Sequence, residues 1–265
     1  MIVKDEAELF TRAVDSVRQY VDEVVICDTG SQPEAAQVAK QLADVYCEFP
    51  WCDNFGAAYN CAIEHATGDW ILVLDADELM HARDSRRLRA LVEEPDCDAI
   101  MINQRCVARR PLPGYVRDTQ YPMRWLLDNP FIRLFRNRPD IRFLGRVHCT
   151  INELDPNIRV KRSGIVIENH TDENPARPPR DKIEYYLELL ERDLKERPCW
   201  RLYALAARLR ESLNPGDQIA AAYRRILATQ FIDEIRSIKE LGGIGAIPYV
   251  EHGLSATSTI QTMSV

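Results

Sequence analysis

Hydrophobic and polar positions along the first hundred residues fall into alternating blocks of two periods. After the short apolar start Met1–Val3, the residues Leu9, Phe10, Ala13, Val14, Val17 and Val21 recur three or four apart, which predicts a helix with one buried face. The run Glu23–Cys27 (EVVIC) predicts a buried strand, and the turn chemistry of DTGSQPE ends it. Ser31 is the expected N-cap of the next helix, with Pro33 and Glu34 in its first turn and Ala36, Val38, Ala39 and Leu42 along it. Residues 44–49 predict a strand, 54–66 a helix stopped by Gly68, 70–74 a strand, 86–94 a helix and 98–103 a strand. Strands that are apolar throughout and alternate with helices predict an α/β fold, a mostly parallel sheet with helices on its faces. Ligands of such sheets bind beyond the carboxyl ends of the strands. Asp28 and Asp75 each follow a strand, so both are expected on that rim.

From about residue 104 the pattern changes. PLPGY (111–115) reads as a loop, and residues 131–137, 141–151 and 164–170 read as antiparallel strands joined by turns. The Pro-rich segment 173–180 is the expected linker between a first domain, 1–172, and a helical region, 181–235, followed by a small polar tail, 236–265. Helices are predicted over 181–197, 200–213 and 216–230, resembling stacked helical hairpins. So few units are expected to need the first domain or a protein partner to cover their apolar faces.

With 265 residues, 46% of them hydrophobic, the chain can bury one sizeable core and a small appendage. It carries 34 basic and 41 acidic residues, a net charge of -7, which argues against nucleic-acid binding through a general positive field. One local basic run remains, with Arg133, Arg136, Arg138, Arg142 and Arg146. The eight cysteines include no Cys-x-x-Cys pair. Cys27, Cys47 and Cys61 lie inside apolar runs, as reduced thiols acting as small hydrophobes would. A charged amino terminus and no apolar run near the ~20 residues that span a bilayer fit a cytoplasmic protein, with peripheral membrane contact still open.

The chemistry concentrates where Ile71–Leu74 runs into Asp75, Asp77 and Glu78. Neighbouring carboxylates repel and resist joint ionisation unless something positive lies between them. A divalent cation such as Mn2+ or Mg2+ takes oxygen ligands and shares them with a substrate's phosphates. Alone, Asp-x-Asp is common and favours the plainer reading, a solvated strand end that caps a helix. A phosphatase of the haloacid-dehalogenase type also places Asp-x-Asp after a strand, but early in its domain; here two strand–helix units precede it.

MIVKDE (1–6), VDEVVICDTGS (21–31), WCDNFGAAYNCAIEHATGDWILVLDADE (51–78), RLFRNRPDIRFLGRVHCTI (133–151) and IENH (167–170) occur in that order. Together they resemble the family 2 glycosyltransferases, in the branch of lipopolysaccharide-core glucosyltransferases and glycocin peptide S-glycosyltransferases. The resemblance covers residues 1–170, and the helical remainder is similar to the tetratricopeptide-like tail of many members. It implies a GT-A fold and a nucleotide-sugar donor, most often UDP-linked. Val3, Glu6 and Asp28 would line the nucleotide pocket, joined by Asn60 and Asp75. Asp77 and His170 would hold Mn2+ or Mg2+, and Arg133 and Arg136 would balance phosphate or acceptor charge. Each also has a plainer reading: Asp28 as a turn cap, His170 as a strand-end histidine, the arginines as a solvated strand face.

The sequence departs from the family pattern at four places. His148-Cys149 stands where His-Glu is usual, which leaves His148, Glu153 and Asp155 as candidates for the base. Tyr59-Asn60 replaces Arg-Asn, Asp5 replaces Asn, and relatives usually carry residues before MIVKNE. Three readings follow: a metal-dependent inverting hexosyltransferase with an unknown saccharide, lipid-linked or peptide acceptor; a catalytically impaired member that binds nucleotide; and an interaction protein working through its helical tail.

Overall fold

Ile2–Val3 forms β1, and the predicted stripe of Phe10, Ala13, Val14 and Val17 is the buried face of α1 (Ala7–Val17), which runs into a 3-10 turn at Arg18–Tyr20. Then come β2 (Val25–Asp28), α2 (Pro33–Leu42), β3 (Val45–Glu48) and α3 (Phe55–Glu64). β1, β2 and β3 pair in parallel, with Val3 opposite Asp28 and Cys27 opposite Cys47. This computed structural model describes residues 1–93, 96–108, 116–119, 125–151, 157–169 and 180–233.

The second sheet contains β4 (Trp70–Leu72), β5 (Glu78–Met80), β6 (Ala99–Ala108), β7 (Val116–Arg117) and β8 (Trp125–Arg136). β9 (Phe143–Leu144) and β10 (Thr150–Ile151) form a separate small hairpin, and β11 (Val160–Asn169) returns to the large sheet. The order is β4-β8-β6-β11-β5 with β7 on β8, and only β6 and β11 pair in parallel. Alternation along β4 and its continuation feeds both faces. Ile71 and Val73 join Phe135, Ile141 and Phe143 on one side, and Leu74 joins Met80, Ile100, Leu134 and Ile167 on the other.

Several expectations need correction. Ser31 does not cap α2; its hydroxyl accepts from the Asp5 N–H at 2.8 Å, and Gln32 takes the cap position ahead of Pro33. The helix predicted over 86–94 is shorter, α5 (Leu88–Val92), and an unpredicted short helix, α4 (Ala82–Ser85), precedes it, with Ser85 Oγ donating to the Ser16 carbonyl at 3.0 Å. The strand predicted over 141–151 is a hairpin, because Gly145 (φ 104°) and His148 (φ 47°) take left-handed turns. β8 and β11 are antiparallel but not neighbours, since β6 lies between them. The arginines of the basic run do not gather either. Arg138 pairs with Asp140 and Asp98, and Arg142 donates to the Ile141 carbonyl at 2.8 Å. The loop 111–115 lies outside the described residues.

The chain divides into two compact units, Met1–Ala176 and Arg177–Val265. The second holds α6 (Arg180–Glu196), α7 (Trp200–Leu213) and α8 (Gln218–Gln230), where Asp217 caps α8 through the Ala220 N–H at 2.8 Å. Trp200 and Leu227 pack together with Tyr203 and Phe231, and Arg224 bridges to Glu211 at 3.0 Å. Among the described residues no helix is long and apolar enough to cross a membrane. The expected linker, up to Pro179, and the tail from 236 lie outside the described residues.

Candidate functional site

β2 ends on Asp28, 3% exposed, because a parallel strand flanked on both sides delivers its last side chain into the sheet's rim. The carboxylate accepts from the N–H groups of Ser31 (2.7 Å) and Gly30 (2.9 Å) and from the Tyr46 hydroxyl (3.1 Å). Burial alone would raise its pKa, but these donors outweigh it and hold the group below the usual carboxylate range. Val3 is buried beside it, and its carbonyl accepts from both the N–H and the hydroxyl of Thr29, each at 2.9 Å. Asp5 (φ 57°) and Glu6 (φ 55°) are consecutive left-handed residues, a strained turn held by Asp5 Oδ1 accepting from the Gln32 N–H at 2.7 Å. Glu6 is exposed at the rim.

The second cluster hangs on β4. Past Leu74 the chain turns, and Asp75 and Glu78 lock it: the Asp75 N–H donates to Glu78 Oε2 at 2.8 Å and the Glu78 N–H to the Asp75 carbonyl at 3.1 Å. Arg133, from the middle of β8, reaches both carboxylates, 3.0 Å to Asp75 and 2.6 Å to Glu78. Gln104 also donates to Glu78, and Tyr59 of α3 donates its hydroxyl to Asp75. Tyr59 is stacked on Phe143 at 4.7 Å.

Electrostatics separates the carboxylates. Burial raises Asp75, but Arg133 and the Tyr59 hydroxyl pull it below its ordinary value. Glu78, fully buried, is pushed up to about 7 by burial in spite of Arg133. Asp77 is raised by burial and by the like charge of Asp75, against a hydrogen bond from Asn169. The Arg133 Nε is buried with no hydrogen-bond partner among the described residues. Asp77 is thus the carboxylate that gains most from an added cation, while Asp75 and Glu78 already share one. The Asp77 carboxylate offers the kind of oxygen ligand that a hard divalent ion such as Mn2+ or Mg2+ takes.

The predicted residues do not all converge. Arg136 sits opposite Trp70, at the far end of β4 from Asp75; it lies over the Trp70 ring at 4.6 Å and donates to the Cys97 carbonyl at 3.1 Å. Asn60 spends both ends of its amide on the backbone of Phe143, at 2.9 and 3.0 Å. His148 is exposed on its left-handed turn, and Cys149 packs near Gly56 and within electrostatic reach of Tyr59. Glu153, Asp155 and His170 lie outside the described residues. Asn169, the residue before His170, closes β11 opposite Glu78. Sequence reasoning missed Tyr59, Gln104 and Asn169. The only signal for Tyr59 was its place at the start of Tyr59-Asn60, where a cation is usual; Gln104 and Asn169 had none.

The glycosyl transferase family 2 model matches residues 1–152. A TPR repeat-containing protein of Synechococcus elongatus is 37% identical over 167 residues, 60% of this chain and 38% of that one. The SPbeta prophage-derived glycosyltransferase SunS of Bacillus subtilis is 24% identical over 219 residues, 77% of this chain and 47% of that one. The chain thus spans less than half the length of these relatives. Among solved structures, the mannosyltransferase PcManGT of Pyrobaculum calidifontis, in complex with GDP-Man and Mn2+, matches 96% of this chain and 81% of its own at 16% identity and a TM-score of 0.47. TarS of S. aureus matches 91% and 77% at 15% identity and a TM-score of 0.46. With its motifs spread across the matched region, the chain belongs to glycosyl transferase family 2.

Proposed function

We propose that this chain is a metal-dependent, inverting hexosyltransferase of GT-A fold that takes its sugar from a UDP-linked donor. The observation that carries this reading is the division of labour among the carboxylates. Asp75 is held ionised by Arg133 and Tyr59, while burial and the like charge of Asp75 disfavour the ionised form of Asp77, beside the end of β11, in spite of Asn169. Asp28, Val3 and Glu6 line the nucleotide end, where Asp28 is fixed as an acceptor by the Ser31 and Gly30 N–H groups and the Tyr46 hydroxyl. Asp77 and His170 would hold Mn2+ or Mg2+, which when bound offsets charge on the departing diphosphate.

The chain's own residues then set orientation. The Asp75–Glu78 turn is locked by Arg133, so Asp77 is presented on a rigid element. The acceptor, a saccharide, lipid-linked saccharide or peptide nucleophile, attacks the anomeric carbon opposite the leaving group. His148, Glu153 or Asp155 takes its proton. Cys149 supplies no carboxylate next to His148, which favours a second reading, a donor-binding member without turnover.

Calorimetric titration of UDP with and without Mn2+, followed by UDP-glucose hydrolysis, separates these readings. The expected result is Mn2+-dependent binding that Asp77→Ala abolishes with its fold intact, and slow release of glucose. Binding unaltered in Asp77→Ala would remove the site assignment. Binding without any release, restored by Cys149→Glu, would favour the second reading.

A further inference from the structure

Three thiols converge outside the carboxylate cluster. Cys27 of β2 and Cys47 of β3 are direct partners across a parallel pair, so their side chains leave the sheet on the same face. α3 packs on that face and lowers Cys61 toward them. The three Sγ atoms all lie within 4.8 Å of one another. Spacings of twenty and fourteen residues carry no sequence signature, so only the fold brings the set together.

The surroundings select the ligand. Cys27 is fully buried and Cys47 nearly so, and Ile2, Val25, Phe49 and Ala62 line the cluster. Cys61 is half-buried and leaves a way in from the surface. Cys47 reaches one carbonyl, that of Ile26, at 3.8 Å. Burial pushes the Cys27 and Cys47 thiols above the usual range, so both are neutral at rest. No His, Asp or Glu joins the cluster among the described residues. A sulfur-only donor set is wrong for the hard ions that suit the carboxylates. It suits a soft cation that accepts three ligands.

We propose that Cys27, Cys47 and Cys61 form a trigonal site for a thiophilic d10 cation, Cu(I) being the best fit. Metal–sulfur bonds of ~2.3 Å put the sulfurs of a trigonal site ~4 Å apart, a contraction of at most about 1 Å from the present cluster. On binding, three S–H bonds break, three Cu–S bonds form and three protons leave to solvent. The copper stays Cu(I), and no electron is exchanged. The site ties β2, β3 and α3 together one residue from Asp28 and two from Tyr59, so its occupant would stiffen the frame behind the donor site. It is independent of that site's chemistry and stands or falls without it.

The test is anaerobic titration of the reduced full chain with Cu(I) against bicinchoninate as competitor, read by ultraviolet thiolate-to-metal charge transfer and by Tm. One equivalent is expected to be retained against the competitor, with a rise in Tm, since a ligand that binds only the folded state stabilises it. Cys61→Ala sits on a half-buried helical position and is expected to keep its fold by circular dichroism while losing both signals. Cys47→Val should behave alike, and Cys52→Ser should keep both. Copper retained equally by Cys61→Ala and Cys47→Val, copper retained without a rise in Tm, or no retention by the parent chain would each overturn the site.

Discussion

Arg133 Nη2 lies 2.6 Å from Glu78 Oε1, deep enough that the carboxylate is fully buried and the guanidinium side chain only 11% exposed. The same nitrogen reaches Asp75 at 3.0 Å. One cation therefore serves two carboxylates at the end of β4, and the apolar run Ile71–Leu74 ends where it does because Arg133 from β8 is there to receive it. Such a knot adds little net stability, since desolvation consumes most of the Coulomb gain. Its use is to fix the turn that carries Asp77.

Breaking the knot from one side should be costly. Arg133→Met leaves the buried Glu78 and the half-buried Asp75 without a counter-charge, and a loss of roughly 3–5 kcal/mol is expected. Glu78→Gln in the same background replaces a buried acid that has lost its partner with a neutral amide and should recover part of it. Urea denaturation of the two single variants and the double variant measures the coupling. Additive losses would mean that the two residues do not share the role described.

Tyr59 should act on function more than on stability. Tyr59→Phe keeps the stack on Phe143 and removes the hydroxyl that Asp75 accepts. About 1 kcal/mol of stability is expected to go with that hydrogen bond. Asp75 would then rely on Arg133 alone, and UDP affinity in the presence of Mn2+ is expected to fall several-fold. Calorimetry at matched Tm decides it; an unchanged affinity would confine Tyr59 to packing.

The legible and illegible parts of this molecule divide by range. α1, β2, β3, α3 and β4 follow from local periodicity, since each buries one face or both against a neighbour in the chain. The rim position of Asp28 and Asp75 follows from the alternation of those elements. The partners do not. Arg133 in FIRLFR reads as a solvated strand face until β8 is laid beside β4, 58 positions from Asp75. Arg136, three residues on, points to the other end of the strand for the same reason. The turn at Gly145–His148 was hidden because Arg142 to Ile151 keeps an apolar rhythm through it. Even β5, only three residues long, is masked by the acidic motif that opens it.

Gly56 is where the hairpin of β9 and β10 docks on α3. Its N–H donates to the Gly145 carbonyl at 3.2 Å, and a Cβ there would lie 2.5 Å from that oxygen. The obstacle is backbone, so Gly56→Ala must push the Gly145–Cys149 turn outward. A loss of about 1–3 kcal/mol is expected from the overpacking, seen as a lower Tm. The turn carries His148, so any sugar transfer should fall further than the stability loss explains. A variant with native Tm and native transfer would show that the hairpin is not seated on α3.

Stability should depend on pH through Asp98. This buried carboxylate accepts from the Arg159 side chain at 2.9 Å, the Arg159 N–H at 3.0 Å and Arg138 at 3.0 Å, tying the start of β6 to the segments flanking β8 and β11. Arg159 first, against the cost of burial, draws its pKa from 3.8 down to about 2. A folded-state pKa below the unfolded one gives stability that is complete above the unfolded value and disappears as pH falls through the folded value. The contribution is therefore full above pH 4 and gone below pH 2. Because both arginines are partly exposed and screened, roughly 1–2 kcal/mol is expected rather than the full value of the shift. Asp98→Asn should lower the unfolding free energy by that amount at pH 7, with the gap to the parent chain closing between pH 4 and pH 2. Urea titrations across that window read it directly, and a gap that persists undiminished at pH 2 would assign the loss to packing rather than to charge.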